Sequence, residues 1–157
     1  MKPDDKTILT QAEVLKRMEH YCAYQDRCHR DVREKLREYA LDEQEKENII
    51  CRLIEDRFLD EERFARSFVR GKHRFKQWGR LRLERELRLR GIHPRLVAEA
   101  LDEVPEEEYR ETFRELFRAR AREAGGVETR AQMAKVYRFM VSKGYDPEWV
   151  WQALNVK

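Results

Sequence analysis

The chain has 157 residues, of which 41% are charged, and its 34 Lys and Arg against 31 Asp and Glu leave a formal net charge of +3. No segment reaches the roughly 18–20 apolar residues of a membrane-spanning helix, and Met1–Thr7 lacks the apolar core of a signal peptide. Three cysteines, an odd number, favour free thiols in a reducing compartment over a disulfide framework. We therefore expect a cytoplasmic protein without a membrane segment.

Residues 10–59 have the pattern of three helices. Capping boxes, in which a side-chain oxygen accepts a hydrogen bond from an otherwise unpaired backbone N–H, predict helix starts at Thr10 and Asp42. Cys51 adjoins Ile50 and is expected on the same buried side. Apolar residues one helical turn apart mark the three helices: Val14 and Met18, Val32 and Leu36, Ile50 and Ile54.

A metal site is one interpretation of Cys22, Cys28 and His29, which lie close together in the sequence. The spacing Cys-x5-Cys-His is not one that zinc sites commonly use, and Cys51 is expected on a separate helix. Buried thiols are therefore favoured, with no metal. The remaining histidines have no partner at ligand spacing and are expected at the surface or at helix caps: His20, His73 and His93.

The rest of the chain contains one pattern twice, 53 residues apart. Two apolar residues one turn apart are followed by a glycine, a proline and two more apolar residues, first as Leu83, Leu87, Gly91, Pro94, Val97 and Leu101, then as Val136, Met140, Gly144, Pro147, Val150 and Leu154. Glycine commonly ends a helix and proline commonly starts one, so each copy predicts two helices joined by a turn. A third capping box begins at Thr129. Paired phenylalanines predict one more helix before each copy: Phe64 and Phe68, Phe113 and Phe117.

A period of about 50 residues is typical of helical repeat proteins. The sequence predicts an all-α fold, in which three tandem three-helix repeats form an elongated, curved, solenoid-like body. We expect an N-terminal tail over residues 1–9 and repeats over 10–59, 60–104 and 105–157. We also expect a monomer.

Charge is unevenly distributed along the chain. Residues 63–95 contain 12 Lys and Arg but only two acidic residues, whereas the segments on either side carry a small negative net charge. On the helix predicted over residues 62–75, Phe64, Phe68 and Phe75 indicate the buried side. Four basic or titratable residues fall on the opposite side of that helix: Arg66, Arg70, His73 and Arg74.

Like charges one turn apart repel each other, and a face without a partner more commonly mixes the two signs. The basic segment therefore indicates a surface for a polyanion, either nucleic acid or an acidic protein. Trp78 could stack on a base or pack between helices. The candidate partner-binding or nucleic-acid-binding residues are Arg66, Arg70, Lys72, Arg74, Lys76, Trp78, Arg80, Arg82, Arg85 and Arg88.

Catalytic motifs are missing from the sequence. Ser67 and Ser142 are the only serines, and no Lys followed by Ser or Thr comes after Gly125-Gly126 to make a phosphate-binding loop. The carboxylates occur in runs such as Glu106-Glu107-Glu108, which are expected to be solvated. We expect a protein that is not an enzyme and has no cofactor.

Three segments within residues 59–101 form one combined pattern: Leu59-Asp60-Glu61-Glu62-Arg63-Phe64-Ala65, Gly79-Arg80-x2-Leu83-x2-Glu86-Leu87-x3-Gly91-Ile92, and Val97-x3-Leu101. Together they resemble the central signature of the RecX family of bacterial regulators. The predicted organisation into three units of three helices is also similar to that family, although residues 10–59 lack the glycine and the proline.

This resemblance implies a protein that binds the RecA recombinase filament on single-stranded DNA, in the groove of the filament. It implies inhibition of ATP hydrolysis, strand exchange and co-protease activity, in DNA repair and the SOS response, with DNA contacted directly or through the filament. Two alternatives remain open: a helical DNA- or RNA-binding regulator acting without a recombinase, and a scaffold for an acidic protein. DNA binding alone would need no recombinase and would weaken steeply with salt.

Overall fold

The computed structural model describes residues 5–156, and in that range nine α-helices follow one another without a β-strand. In chain order they are α1 (Gln11–Tyr24), α2 (His29–Leu36), α3 (Glu43–Glu55), α4 (Glu61–Lys76), α5 (Arg80–Leu89), α6 (Pro94–Leu101), α7 (Glu106–Glu123), α8 (Arg130–Lys143) and α9 (Pro147–Leu154). We refer to α1–α3, α4–α6 and α7–α9 as the first, second and third triplets. The predicted all-α fold is confirmed.

Residues 1–4 of the predicted tail lie outside the described residues. Residue 157 also lies outside them. Thr7, which does lie inside the described range, pairs with the end of the α2 region. Its N–H donates to the Glu38 carbonyl and its carbonyl accepts from the Ala40 N–H, both at 2.9 Å. This segment therefore contacts the first triplet.

Local sequence signals account for most helix boundaries. At Thr10, Asp42 and Thr129 the cap side chain accepts a hydrogen bond from the N–H three residues on, at 3.2, 2.8 and 3.1 Å. The side chain at that third position bonds back in each case, so all three predicted capping boxes are confirmed. Gly144 ends α8 with φ of 103°, a left-handed conformation that favours glycine.

The apolar core has two parts. The first triplet encloses its own core, in which Val14, Met18 and Val32 are fully buried. The second and third triplets share one continuous core, which also takes in Cys28 from the start of α2. The six helices from α4 to α9 are therefore joined by apolar contacts as well as by the chain.

Two expectations about α3 are wrong. Cys51 is exposed, and Ile54 is 43% exposed. The buried side of α3 is made by Ile49, Ile50 and Leu53 instead. Leu53 lies one turn after Ile49 and faces α1 and α2. Ile54, the next residue, therefore points outward.

The buried side of α4 also differs from the prediction. Phe64 is buried and Phe68 half-buried, but Phe75 is 88% exposed, whereas His73 is 1% exposed. At 100° per residue His73 lies half a turn around α4 from Phe64. The first turn of α4 contacts the start of α2, where the His29 N–H donates to Glu61 at 3.1 Å. The last turns of α4 meet the third triplet, where the rings of His73 and Tyr109 stack 5.4 Å apart. A second neighbour thus widens the buried arc of α4.

The second and third triplets are joined where the α4–α5 turn meets the end of α8. The Gly79 N–H donates to the Lys143 carbonyl at 2.7 Å, and the Leu81 N–H donates to the Gly144 carbonyl at 3.0 Å. A Cβ atom on Gly79 would lie 2.5 Å from the carbonyl carbon and oxygen of Gly144. The two backbones can approach this closely only because neither residue has a side chain.

Buried tyrosines complete this junction. Tyr145 is fully buried, and its hydroxyl donates to the Gln77 carbonyl at 2.9 Å. The Tyr109 hydroxyl accepts from the Arg80 N–H at 3.0 Å. Burial raises the pKa of both hydroxyls. Each tyrosine therefore satisfies a backbone group of the second triplet that would otherwise be buried without a partner.

The exposed surface is large for the mass of the chain. It measures 10323 Å², against about 8,400 Å² for a compact monomer of 19.2 kDa. This excess is expected of a body built from successive helical units that contact only their neighbours. No helix in the described range is long and apolar enough to cross a bilayer.

We expect Gly79→Ala to lower the free energy of unfolding by about 1–3 kcal/mol, because the new methyl group would overlap the Gly144 carbonyl. Gly71→Ala is a matched control, since Gly71 lies inside α4 with no atom within 4 Å of its added Cβ. That control should raise the free energy of unfolding by about 0.5–1 kcal/mol, because alanine favours the helix. Urea denaturation followed by circular dichroism measures both. Equal effects of the two substitutions would contradict a tight contact at Gly79.

Candidate functional site

The structure divides the ten candidate residues into three groups. Arg66, Arg70 and Arg74 form one row along α4. Arg85 and Arg88 lie on the exposed side of α5. The others gather around the junction between the second and third triplets: Lys72, Lys76, Trp78, Arg80 and Arg82.

The arginine row of α4 is neutralised within the chain. Arg66 and Arg70 both bind Glu103, with Nη1–Oε distances of 3.1 and 3.0 Å, and Arg74 binds Glu108 at 3.3 Å. The Arg70 hydrogen bond, with the positive charges of Arg70 and Arg66, holds the pKa of Glu103 below its usual range. This row is therefore paired with the α6–α7 region, whereas the helical pattern predicted a row without partners.

Arg80 has a similar internal role. It forms an ion pair with Glu106, and its guanidinium lies 3.9 Å from the centre of the Tyr109 ring. The Arg80 hydrogen bond lowers the pKa of Glu106. The glutamates at the start of α7 were expected to be solvated, but two of them pair with arginines of the second triplet.

Trp78 packs between helices, which was one of its two predicted roles. Its ring meets Phe68 edge-on, with centres 6.1 Å apart. The Arg82 guanidinium lies 4.1 Å from the ring centre and the Lys72 ammonium 5.3 Å from it. Because two cations already lie over the indole, Trp78 offers little free ring surface for a base.

A cationic cluster at this junction contains Arg120 and Lys143, two residues that were not among the candidates. Lys143 donates from Nζ to the Lys76 carbonyl at 3.0 Å, and Arg82 donates from Nη1 to the Ser142 carbonyl at 3.2 Å. Burial, followed by the positive charges of Arg82, Lys76 and Arg120, lowers the pKa of Lys143. We call Lys76, Arg82, Arg120 and Lys143 the junction cations.

Only one junction cation has a carboxylate partner among residues 5–156. Arg120 pairs with Glu123, and its guanidinium also lies 3.7 Å from the centre of the Phe139 ring. Backbone carbonyls hold the charged ends of Arg82 and Lys143, and this leaves their positive charge uncompensated. The sequence contained a signal for Lys143 that could have identified it. A basic residue comes directly before the glycine in both copies of the repeat, Arg90 in the first and Lys143 in the second. Such a residue lies at the end of its helix, where a positive charge is favoured.

Phe75 adds an exposed aromatic ring beside these cations. With Lys72 and Lys76 it borders a shallow pocket of about 320 Å³, which Gln25 and Asp26 close on the side of the first triplet. Aromatic rings between cations are the usual arrangement on surfaces that hold single-stranded nucleic acid.

The described residues do not indicate catalysis. No group of three or more His, Cys, Asp or Glu side chains within residues 5–156 is close enough to hold a metal ion. Cys22 and Cys28 are buried, and burial raises the pKa of each thiol to about 11. Such thiols are protonated at neutral pH and are poor nucleophiles.

We expect Arg70→Glu to lower the free energy of unfolding by about 1 kcal/mol, because it replaces an ion pair with two facing carboxylates. Arg85→Glu is the control, since Arg85 is exposed and has no ion pair within residues 5–156. It should change stability by about 0.5 kcal/mol or less. Chemical denaturation at pH 7 compares the two, and equal effects would argue against the α4 pairing.

The Glu103 pairs should also make stability depend on pH. The pKa of Glu103 is lower in the folded protein than its ordinary value of 4.5. Its ion pairs therefore stabilise the fold above that pH and lose this effect as the pH falls through the folded value. The stability difference between the parent and Glu103→Gln should be largest near neutral pH and shrink in acid, as measured by denaturation over a pH series.

Comparison with known proteins agrees with this architecture. Residues 60–101 match the family model "RecX, second three-helix domain", and residues 106–154 match "RecX, third three-helix domain". Regulatory protein RecX of Amycolatopsis mediterranei is 28% identical over 78% of this chain and 70% of its own length. The Streptomyces coelicolor protein of the same name is 27% identical over 76% of this chain and 63% of its own length.

A solved structure is similar as well. The crystal structure of a regulatory protein RecX superposes with a TM-score of 0.80 and 26% identity, over 92% of this chain and 70% of that one. The matched domains coincide with α4–α6 and α7–α9, the two triplets that share a core. The chain belongs to the RecX family of regulatory proteins.

Proposed function

We propose that this protein regulates the RecA recombinase as an inhibitor. It binds the RecA filament on single-stranded DNA, within the groove of the filament, and limits ATP hydrolysis, strand exchange and co-protease activity in DNA repair and the SOS response. Membership of the RecX family is the observation that carries the proposal. The role is non-catalytic, the protein acts as a monomer, and its location is the cytoplasm, where the recombinase works.

The body of helical triplets supports this proposal. An extended protein can contact several successive subunits of a filament, whereas a compact one of equal mass reaches fewer. We propose that the three units are residues 10–59, 60–104 and 105–157, each with three helices. The shared core of the last two would keep their exposed surfaces in a constant relation along the groove.

The junction cations support contact with a polyanion. Lys143 and Arg82 are held by carbonyls at the C-terminal end of α4 or α8, so little side-chain freedom is lost when a phosphate or carboxylate binds. Their charges repel one another, and an anionic partner would relieve that repulsion. We propose Lys72, Lys76, Arg82, Arg85 and Lys143 as binding residues.

The remaining charged candidates have other proposed roles. Arg66, Arg70, Arg74 and Arg80 act through the fold, because their charges are already paired. Arg88 pairs with Glu84 one turn away and is a secondary candidate.

A second candidate function is direct binding of single-stranded DNA or RNA, without a recombinase. Phe75 favours it, since an apolar ring that is 88% exposed lies between Lys72 and Lys76. Base stacking on an aromatic side chain contributes about 1–3 kcal/mol per base. Such binding would weaken steeply with added salt.

The test is ATP hydrolysis by a RecA-type recombinase on single-stranded DNA, with this protein titrated in. The parent should inhibit hydrolysis. Lys76→Glu with Lys143→Glu should reduce the apparent affinity by roughly tenfold or more, because two cations facing the partner become anions. Lys16→Glu with Arg17→Glu is the control of equal charge change, on the exposed side of α1.

Failure of the parent to inhibit would contradict the proposed function. Equal inhibition by the parent and the junction variant would leave regulation in place but remove the junction cations from it. Binding to single-stranded DNA alone, with no effect on the recombinase, would favour the second candidate. Thermal melting followed by circular dichroism checks that both double variants remain folded.

A further inference from the structure

An open groove runs between α8 and α9 on the third triplet. It encloses about 800 Å³, and its lining includes Met133 and Tyr137 from α8 and Pro147 and Trp151 from α9. None of the junction cations lines it. The groove is therefore a separate surface from the one discussed above.

The side chain of Trp151 lies outside the apolar core of the fold. On α9 the core positions are taken by Val150 and Leu154, which are 0% and 5% exposed. Trp149 packs against Tyr109 and Phe113. Trp151 is 55% exposed, and a tryptophan beside an apolar groove is characteristic of residues that anchor a protein partner.

The equivalent surface of the second triplet lacks these features. When the two copies are aligned at their spacing of 53 residues, Ala98 corresponds to Trp151 and Gln77 corresponds to Arg130. The anchor and one of the flanking charges are thus particular to the third triplet. A general property of the repeat would have placed them in both copies.

Charge identifies the kind of partner. Helix α8 carries four basic residues and no acidic one. Arg130 and Arg138 line the groove, two turns or about 12 Å apart along α8, and they outnumber its one acidic lining residue, Glu148. Neither forms an ion pair within residues 5–156, so an occupant with carboxylates at matching spacing would meet two available cations.

We infer that the α8–α9 groove docks an amphipathic helical segment of the recombinase, with its apolar side against Trp151 and its carboxylates toward Arg130 and Arg138. Naming the recombinase as the source rests on the proposed function. Docking of a helix into an apolar groove uses anchors one and two turns apart, and a groove two turns long accommodates them. The segment would make a protein contact, whereas the junction cations remain available for a polyanion.

The experiment measures binding of the fluorescently labelled protein to recombinase filaments assembled on single-stranded DNA with a non-hydrolysable ATP analogue. Trp151→Ala should weaken binding roughly tenfold or more, as expected for loss of an aromatic anchor. Arg130→Glu with Arg138→Glu should weaken it by a similar factor, and more strongly at low salt. Binding of each variant to single-stranded DNA without recombinase should equal that of the parent.

Two matched variants control for general effects. Leu89→Ala removes an apolar side chain that is 62% exposed on the second triplet, and it should bind as the parent does. Lys16→Glu with Arg17→Glu repeats the charge change away from the groove. Thermal melting identifies any variant that fails to fold, and Trp151→Phe, which keeps an aromatic ring, should retain most of the affinity.

The outcomes separate the two proposals. If the parent does not bind the filament, the proposed function fails. If the parent binds and both groove variants bind equally well, the groove inference fails while the proposed function stands. If the groove variants lose binding to single-stranded DNA without recombinase, the groove contacts nucleic acid and the inference is overturned.

Discussion

The contact between the Gly79 and Gly144 backbones is the constraint on which the arrangement of the second and third triplets depends. Hydrogen bonds from the Gly79 and Leu81 N–H groups join the α4–α5 turn to the end of α8. Tyr145 then fits beneath the turn, with its hydroxyl on the Gln77 carbonyl. Because a methyl group on Gly79 would overlap the Gly144 carbonyl and one on Gly144 would overlap Arg82, this approach fixes how α4, α5 and α8 lie together. The shared core and the junction cations both follow from that arrangement.

Charge pairing within and between the triplets decides which part of the basic segment remains available. Arg66, Arg70 and Arg74 lie within reach of Glu103 and Glu108 only because the α6–α7 region runs along α4. A strongly basic segment of sequence is therefore not the same as a strongly basic surface. Part of the uncompensated charge lies instead at helix ends, where carbonyl oxygens hold Arg82 and Lys143 without neutralising them, and part lies at Arg85 on the exposed side of α5.

Two surfaces with different chemistry occur on this one body. The junction cations form a cluster that suits several phosphate or carboxylate groups at once. The α8–α9 groove instead combines an exposed tryptophan with two separated arginines. The function proposed above would require recognition of an assembled filament in preference to its separate components. Simultaneous use of two weak contacts would achieve this, because the second contact forms at high effective concentration once the first is made.

The sequence by itself determined the helices, their caps and the repeat. Capping boxes at Thr10, Asp42 and Thr129, and the glycine and proline punctuation, are local signals that depend on residues within one turn. The family was also recognisable, since its signature lies in continuous segments. Only the tertiary structure decided that His73 is buried, that Phe75 is exposed and that Lys143 joins Lys76 and Arg82. These outcomes depend on which triplet packs against which side of a helix, and helical periodicity describes each helix without its neighbours.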